Sequence, residues 1–238
     1  MAKESKMELK GTYPKREWKK EEKGLYLPKK EPMLIEVPTL NFFVLEGQGN
    51  PNSPFFAACI EALYGASYAV RMSHKGKNVP EGYYEYTVYP LEGVWDLTEA
   101  GKAKQLEWQE KAEKEGLGLQ AQKDVTFLKE EFLFKLMIRQ PNFLTPELGA
   151  AFVQEAAKKK KNPLIEKVYF TDYSEGKCIQ ILHEGSYDSE PESFDKMEAF
   201  AKEMGLKRRS KKHREIYLSD ARKTSPEFLK TVLRFEVE

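Results

Sequence analysis

A chain of 238 residues can form one compact unit or two fused modules, and its 40% hydrophobic and 12% aromatic content excludes disorder throughout. Lys plus Arg (39) balance Asp plus Glu (38) to a net charge of +1, so no overall field draws the chain to nucleic acid or an anionic membrane. Two cysteines without C-x-x-C spacing, no signal-like apolar stretch and apolar runs no longer than "PFFAACI" point to a soluble cytoplasmic protein without a membrane partner.

Residues 1–32 are dominated by Lys and Glu and interrupted by Pro14, Pro28 and Pro32, which reads as a poorly ordered arm pinned at Trp18, Tyr26 and Leu27. From Met33 the texture changes. "MLIEVPTLNFFVLEGQG" is strand-like and ends at Gly47 and Gly49. Ser53 and Pro54 then supply the N-cap and first position of a helix whose Phe56, Ile60, Leu63 and Val70 form one buried stripe. "GYYEYTVYPL" alternates as a strand, and a Lys-, Glu- and Gln-rich helical insertion follows over roughly Thr98–Gly116. "EFLFKLMIRQP" is a further strand, and Thr145-Pro146-Glu147 starts a helix that runs to the lysines at 158–161.

"IEKVYFTDY" and "KCIQILHEG" read as a hairpin around Ser174-Glu175-Gly176. The next helix carries a capping box, Ser189 with Glu192, and stops at Gly205. "REIYLSD" and "TVLRFEVE" are the last strands. The order strand, Gly turn, Ser-Pro or Ser-Glu-Pro cap, helix occurs twice, and "RQPNFLTPEL" echoes "SDARKTSPEFL". The expectation is an α+β fold of tandem pseudo-symmetric strand-helix-strand-strand modules with a central ligand cleft. The first module spans about 33–141, a connecting helix and strand about 145–173, and the second module about 176–238.

Three histidines on different elements, without H-E-x-x-H spacing, give no metal site, and glycines outside any G-x-G-x-x-G or P-loop pattern give no cofactor cradle. Neither cysteine has a neighbouring base to make a thiolate. The run "KRRSKKHR" at 207–214 lacks an aromatic for base stacking and follows a helix C-terminus, so it reads as a solvated face with no nucleic-acid partner. Aromatics are the stronger resource. Tyr84 and Tyr86 share a strand face with Glu92 if alternation continues, and a bulge at Gly93 would re-aim Trp95. Phe132 and Phe134 line one face of the next strand. A carboxylate at Glu92, buried among such rings, is either paired or raised in pKa, as functional acids are.

At "EYTVYPLEGVW", "FKLMIRQPNF", "ILHEGSYDSEPESFDKMEAF" and "HREIYLSDARKTSPEFLKTVLR" the chain resembles the GyrI-like small-molecule-binding family. More narrowly, it resembles the stand-alone branch that includes cyclopropanoid cyclopropyl hydrolases. The resemblance implies one GyrI-like domain over 33–238, with a cleft for flat, aromatic, often cationic xenobiotics. It also implies, in the hydrolase branch, an aromatic cage where water opens a yatakemycin-type spiro-cyclopropane. Carried over, Glu92 and Tyr187 are the expected catalytic residues. Trp95, Tyr84, Tyr86, Phe134, Phe170, Tyr217 and His183, the first residue of "H-x-G-x-Y", are the expected ligand-binding residues. No cofactor is implied, and the expected state is a monomer or weak homodimer. Alternatives are a non-catalytic sequestering protein or a drug-sensing partner.

Overall fold

Eight strands with alternating apolar faces hydrogen-bond into one curled antiparallel sheet, in a computed structural model that describes residues 13–76, 79–118, 121 and 126–238. In chain order the strands are β1 (Lys15–Arg16), β2 (Met33–Val37), β3 (Leu40–Gln48), β4 (Glu85–Tyr86), β5 (Leu91–Leu97), β6 (Phe132–Arg139), β7 (Tyr169–Tyr173), β8 (Gly176–Glu184), β9 (His213–Tyr217) and β10 (Lys230–Glu236). The helices are α1 (Trp18–Glu21), α2 (Lys23–Tyr26), α3 (Pro54–Arg71), α4 (Glu99–Lys114), α5 (Pro146–Lys159) and α6 (Glu190–Glu203). The sheet runs β2-β8-β10-β9-β5-β6-β3-β7, while β1 and β4 form a separate parallel pair.

The internal repeat is real. β3-α3-β5-β6 and β8-α6-β9-β10 each place their strands in the same relative order, and the halves join where β5 pairs with β9. Each half also lends its leading strand to the other: β2 precedes β3 but pairs with β8, and β7 precedes β8 but pairs with β3. The expected hairpin around Ser174-Glu175-Gly176 is therefore absent. Glu175 is buried between Arg214 and Arg234, at 3.1 and 3.0 Å, so the turn is drawn inward and its two strands go to opposite ends of the sheet.

Side-chain capping holds at three helix starts. The Ser53, Thr98 and Thr145 hydroxyls accept from the backbone N–H three residues on, as N-caps do. Ser189 does not, and the predicted capping box fails. Its hydroxyl donates to the Ser186 carbonyl at 2.7 Å, and the Ser186 side chain caps the preceding turn instead. Within "GYYEYTVYPL" only Glu85–Tyr86 is strand before β5 begins at Leu91, because Gly82 (φ +72°) turns the chain before it and Pro90 lacks the N–H a ladder needs. Tyr84 and Tyr86 consequently pack against Phe143, off the main sheet.

The N-terminal segment is more ordered than its composition suggests. Residues 1–12 of the predicted arm lie outside the described residues. Over residues 13–32, Trp18 and Tyr26 are buried while Leu27 stays exposed. Gln180 donates to the Gly24 carbonyl at 2.6 Å, Arg234 to that of Leu25 at 2.7 Å, and Arg139 pairs with Glu22. A charged composition is ordered here because buried arginines on the sheet need its carbonyls and carboxylate as acceptors.

Candidate ligand-binding cleft

α3 covers the first half of the helix-bearing face and α6 the second, which leaves the central strands β5 and β9 uncovered as the floor of a cleft. Antiparallel pairing sets Leu91 opposite Tyr217, Gly93 opposite Glu215 and Trp95 opposite His213, so all six share the cleft face. Gly93 is needed for this floor. A Cβ there would lie 2.8 Å from Trp95 Nε1 and 3.1 Å from the Tyr217 hydroxyl. Over the glycine, Trp95 Nε1–H donates to that hydroxyl at 2.8 Å. Phe56 of α3 stacks on Trp95 at 5.7 Å and 29°, and Tyr187 meets Tyr217 edge-on at 6.1 Å. The cleft has a volume of about 2210 Å³, and α4 adds Leu106 to its outer wall.

Carboxyl groups sit against these rings. Glu190, at the start of α6, is 7% exposed, and its Oε1 has no hydrogen-bond partner among the described residues. Burial, then the nearby charges of Glu215 and Asp188, hold its carboxyl well above the usual range. Glu215 faces His213 Nε2 at 3.0 Å. Burial, then Glu215, Glu190 and Asp220, push Tyr187 up to about 12, and burial with Glu215 raises Tyr217 further, so both are phenols that can donate. The site thus pairs a carboxyl raised well above its usual range with a second carboxyl group beneath aromatic walls.

The raised Glu190 carboxyl predicts a pH signature. A folded pKa above the unfolded one contributes stability in full below the unfolded value, about 4.3 for glutamate, and that contribution is lost as pH rises through the folded value. Glu190→Gln keeps a neutral group of the same shape. Its thermal midpoint should gain on that of the parent as pH rises from about 5 to about 9. Parallel melting profiles would show that Glu190 is not held neutral.

Of the residues picked out in the sequence, the fold brings Trp95, Tyr187 and Tyr217 together at the cleft. Glu92 is a correction. The register through β5 is regular, without a bulge at Gly93, so residues 92 and 95 point to opposite faces. Glu92 is 1% exposed behind the floor, where it accepts from Arg214 Nη1 at 2.7 Å and from the Tyr26 hydroxyl at 3.4 Å. Phe134 and Phe170 lie on the helix-bearing face but are covered, Phe134 by Phe56 and Phe170 by α5 at Gly149. Tyr84 and Tyr86 lie off the sheet, as described above. His183 is buried and faces Ser193 Oγ at 2.9 Å and the Ser186 carbonyl at 3.0 Å, so it holds the turn that carries Tyr187.

Glu190, Glu215 and Phe56 were missed. Alternation in "HREIY" already put Glu215 on the face of Tyr217, whereas nothing in "SEPES" marks Glu190 as buried. Among the described residues no group of three or more His, Cys, Asp or Glu could hold a metal ion, and no helix is long and apolar enough to cross a membrane. Burial pushes the Cys59 thiol up to about 11 and that of Cys178 to about 12, the opposite of what a nucleophile needs.

A sequence profile of the GyrI-like small molecule binding domain matches residues 122–238. Among solved structures, a Listeria innocua protein named as a hydrolase is 31% identical, with 93% of this chain and 99% of that one covered and a TM-score of 0.76. Another structure of a Listeria innocua hydrolase is 32% identical, covers 94% and 100%, and has a TM-score of 0.80. A third Listeria innocua structure, named only as an uncharacterized conserved protein, is 32% identical over 93% and 99%, with a TM-score of 0.78. No curated protein matches the chain.

Proposed function

The chain belongs to the GyrI-like small-molecule-binding family, and from that premise we propose that its cleft takes flat, largely hydrophobic xenobiotics and hydrolyses strained cyclopropane electrophiles of the yatakemycin type, a detoxification. The observation that carries this reading is the buried Glu190 carboxyl, whose Oε1 has no hydrogen-bond partner among the described residues and which lines one cleft with Glu215, Trp95, Tyr187 and Tyr217. The hydrolase names of two Listeria innocua relatives agree with it.

In such a substrate a three-membered ring is conjugated to a dienone. The oxygen of water bonds to a ring carbon, a ring C–C bond breaks, and its electron pair moves into the dienone to leave a phenolate oxygen. Glu215 takes the proton lost by the water, and Glu190 supplies one to the phenolate. Exchange between the two neighbouring carboxyls resets the site, so the net change is addition of one water. Tyr187 donates to the oxygen as its charge grows. The faces of Trp95 and Tyr217 stabilise the positive character at the attacked carbon. Glu92, paired behind the floor, takes no part in this scheme.

Incubation with a spiro-cyclopropane dienone, followed by mass spectrometry, should show a product heavier by one water and many turnovers per protein. Glu190→Gln should still bind the compound but turn it over about 100- to 10,000-fold more slowly, the usual contribution of a general acid. Undiminished turnover in that variant would remove the acid role. The second reading, sequestration without turnover, is favoured by the breadth of the cleft, about 2210 Å³ against roughly 300–1,000 Å³ for common ligand pockets. Saturable binding with unchanged compound would decide for it.

A further inference from the structure

We infer that Tyr64 and Tyr68 of α3 form a second aromatic subsite in the cleft, and that its ligand is elongated, with two planar aromatic units joined in line. The inference rests on the cleft being the ligand site and concerns the end that Trp95 does not reach. Phe56, Ile60, Tyr64 and Tyr68 follow one another every fourth residue along α3, and all of them line the cleft. Phe56 stacks on Trp95. About two turns on, the Tyr64 hydroxyl reaches the backbone of Leu91, which pairs with Tyr217 across the floor. From Phe56 to Tyr64 the helix rises about 12 Å, and from Trp95 to Leu91 the strand covers about 13 Å. Helix and strand therefore run side by side in opposite directions and mark one long axis.

Tyr68 extends that axis past the floor. It stands one turn beyond Tyr64, about 18 Å from Phe56 along the helix. Its ring lies 6.3 Å from that of Tyr64 at 34°, and it is 51% exposed, a large aromatic left open to the cleft. The facing wall is the turn after β9, where Leu218 and the Asp220–Arg222 pair line the same end. Arg222 donates to both Asp220 carboxyl oxygens at 2.9 Å, so the two charges offset each other and an uncharged ring can lie against them. A single ring system on the floor at Trp95 leaves this shelf empty. The cleft volume of about 2210 Å³, against roughly 300–1,000 Å³ for common ligand pockets, has room for a second unit there.

The consequence is selection by length. A ligand that reaches both shelves gains a second stacking contact without a second loss of translational freedom, because the first contact holds its other end nearby. A compact ligand of the same chemistry gains nothing from Tyr68. A linked pair too short to span the axis gains nothing either.

Fluorescence titration of the full chain with uncharged naphthamides tests this. The probes are N-methyl-2-naphthamide, with one ring system, and pairs of 2-naphthamides joined through their nitrogens by an ethane or a hexane chain. The hexane-linked pair should bind about tenfold or more tighter than the single unit, as one further aromatic stacking contact provides. The ethane-linked pair should stay within about twofold of the single unit, because its chain cannot span the two shelves. Tyr68→Ala should remove the gain of the hexane-linked pair, and Tyr68→Phe, which keeps the ring, should retain it. Half-exposed Tyr68 lies outside the core, and should the alanine variant misfold, Tyr68→Gln supplies the same comparison. Equal affinity for the hexane-linked pair and the single unit would overturn the inference. So would an undiminished gain in the ring-deleted variant, or equal gains from both chains, which apolar bulk alone would produce. Failure of all the probes to bind would overturn the cleft reading and this inference together, an outcome distinct from binding that ignores length.

Discussion

Glu92→Leu is expected to lower the unfolding free energy by about 3–5 kcal/mol, the usual cost of removing one partner from a buried ion pair. Glu92 and Arg214 are both almost fully buried, and their contact belongs to a chain of charges behind the cleft floor. Arg214 also approaches Glu175, which accepts from Arg234, and Arg234 donates to Gln180. Leucine would leave Arg214 Nη1 without its acceptor and Tyr26 without the carboxylate its hydroxyl reaches. Urea unfolding should show the loss as a lower midpoint. Ligand affinity of the folded variant should hold, because Glu92 and Trp95 lie on opposite faces. A stable variant that has lost ligand affinity would reverse this assignment and return Glu92 to the site.

Trp95→Ala should produce the second large effect, acting on stability and binding at once. The indole is 8% exposed, stacks on Phe56, meets Phe132 edge-on and donates to Tyr217. Truncating a buried ring of this size costs about 3–5 kcal/mol. A planar ligand would lose a further contact worth about 1–3 kcal/mol, with base–aromatic stacking as the nearest measured analogue. Trp95→Phe is an intermediate case, because it keeps an aromatic face while removing the N–H to Tyr217 and the area of the second ring. Thermal melts and ligand titrations on both variants provide the check. Ligand affinity untouched in Trp95→Ala would take Trp95 off the floor of the site.

Much of the architecture was legible because it repeats local rules. Helical spacing of Phe56, Leu63 and Val70, Ser53 as a cap and Gly205 as a stop all describe what neighbouring residues do to one another. The duplicated strand-helix-strand-strand order was legible for the same reason. Harder cases involved residues far apart in sequence. The short turn at Ser174-Glu175 reads as a hairpin until Arg214 and Arg234 arrive to bury Glu175. The N-terminal Lys and Glu residues read as solvated until Arg139 claims Glu22.

The candidate site divides along the same line. Sequence by itself determined which aromatic rings were available, Trp95, Tyr187 and Tyr217 among them, and that two similar halves would join. Strict alternation also separated Glu92 from Trp95, had no bulge been allowed at Gly93. Tertiary structure alone decided which acid meets the rings. Alternation assigns a residue to one face of a sheet, but whether that face meets water, a helix or a charge depends on what packs over it. α3 and α6 cover the flanks and leave β5 and β9 bare, so Glu215 reaches the cleft and Glu190 enters from a helix start. Glu92, one residue from the bare floor, is turned behind it and held there by Arg214.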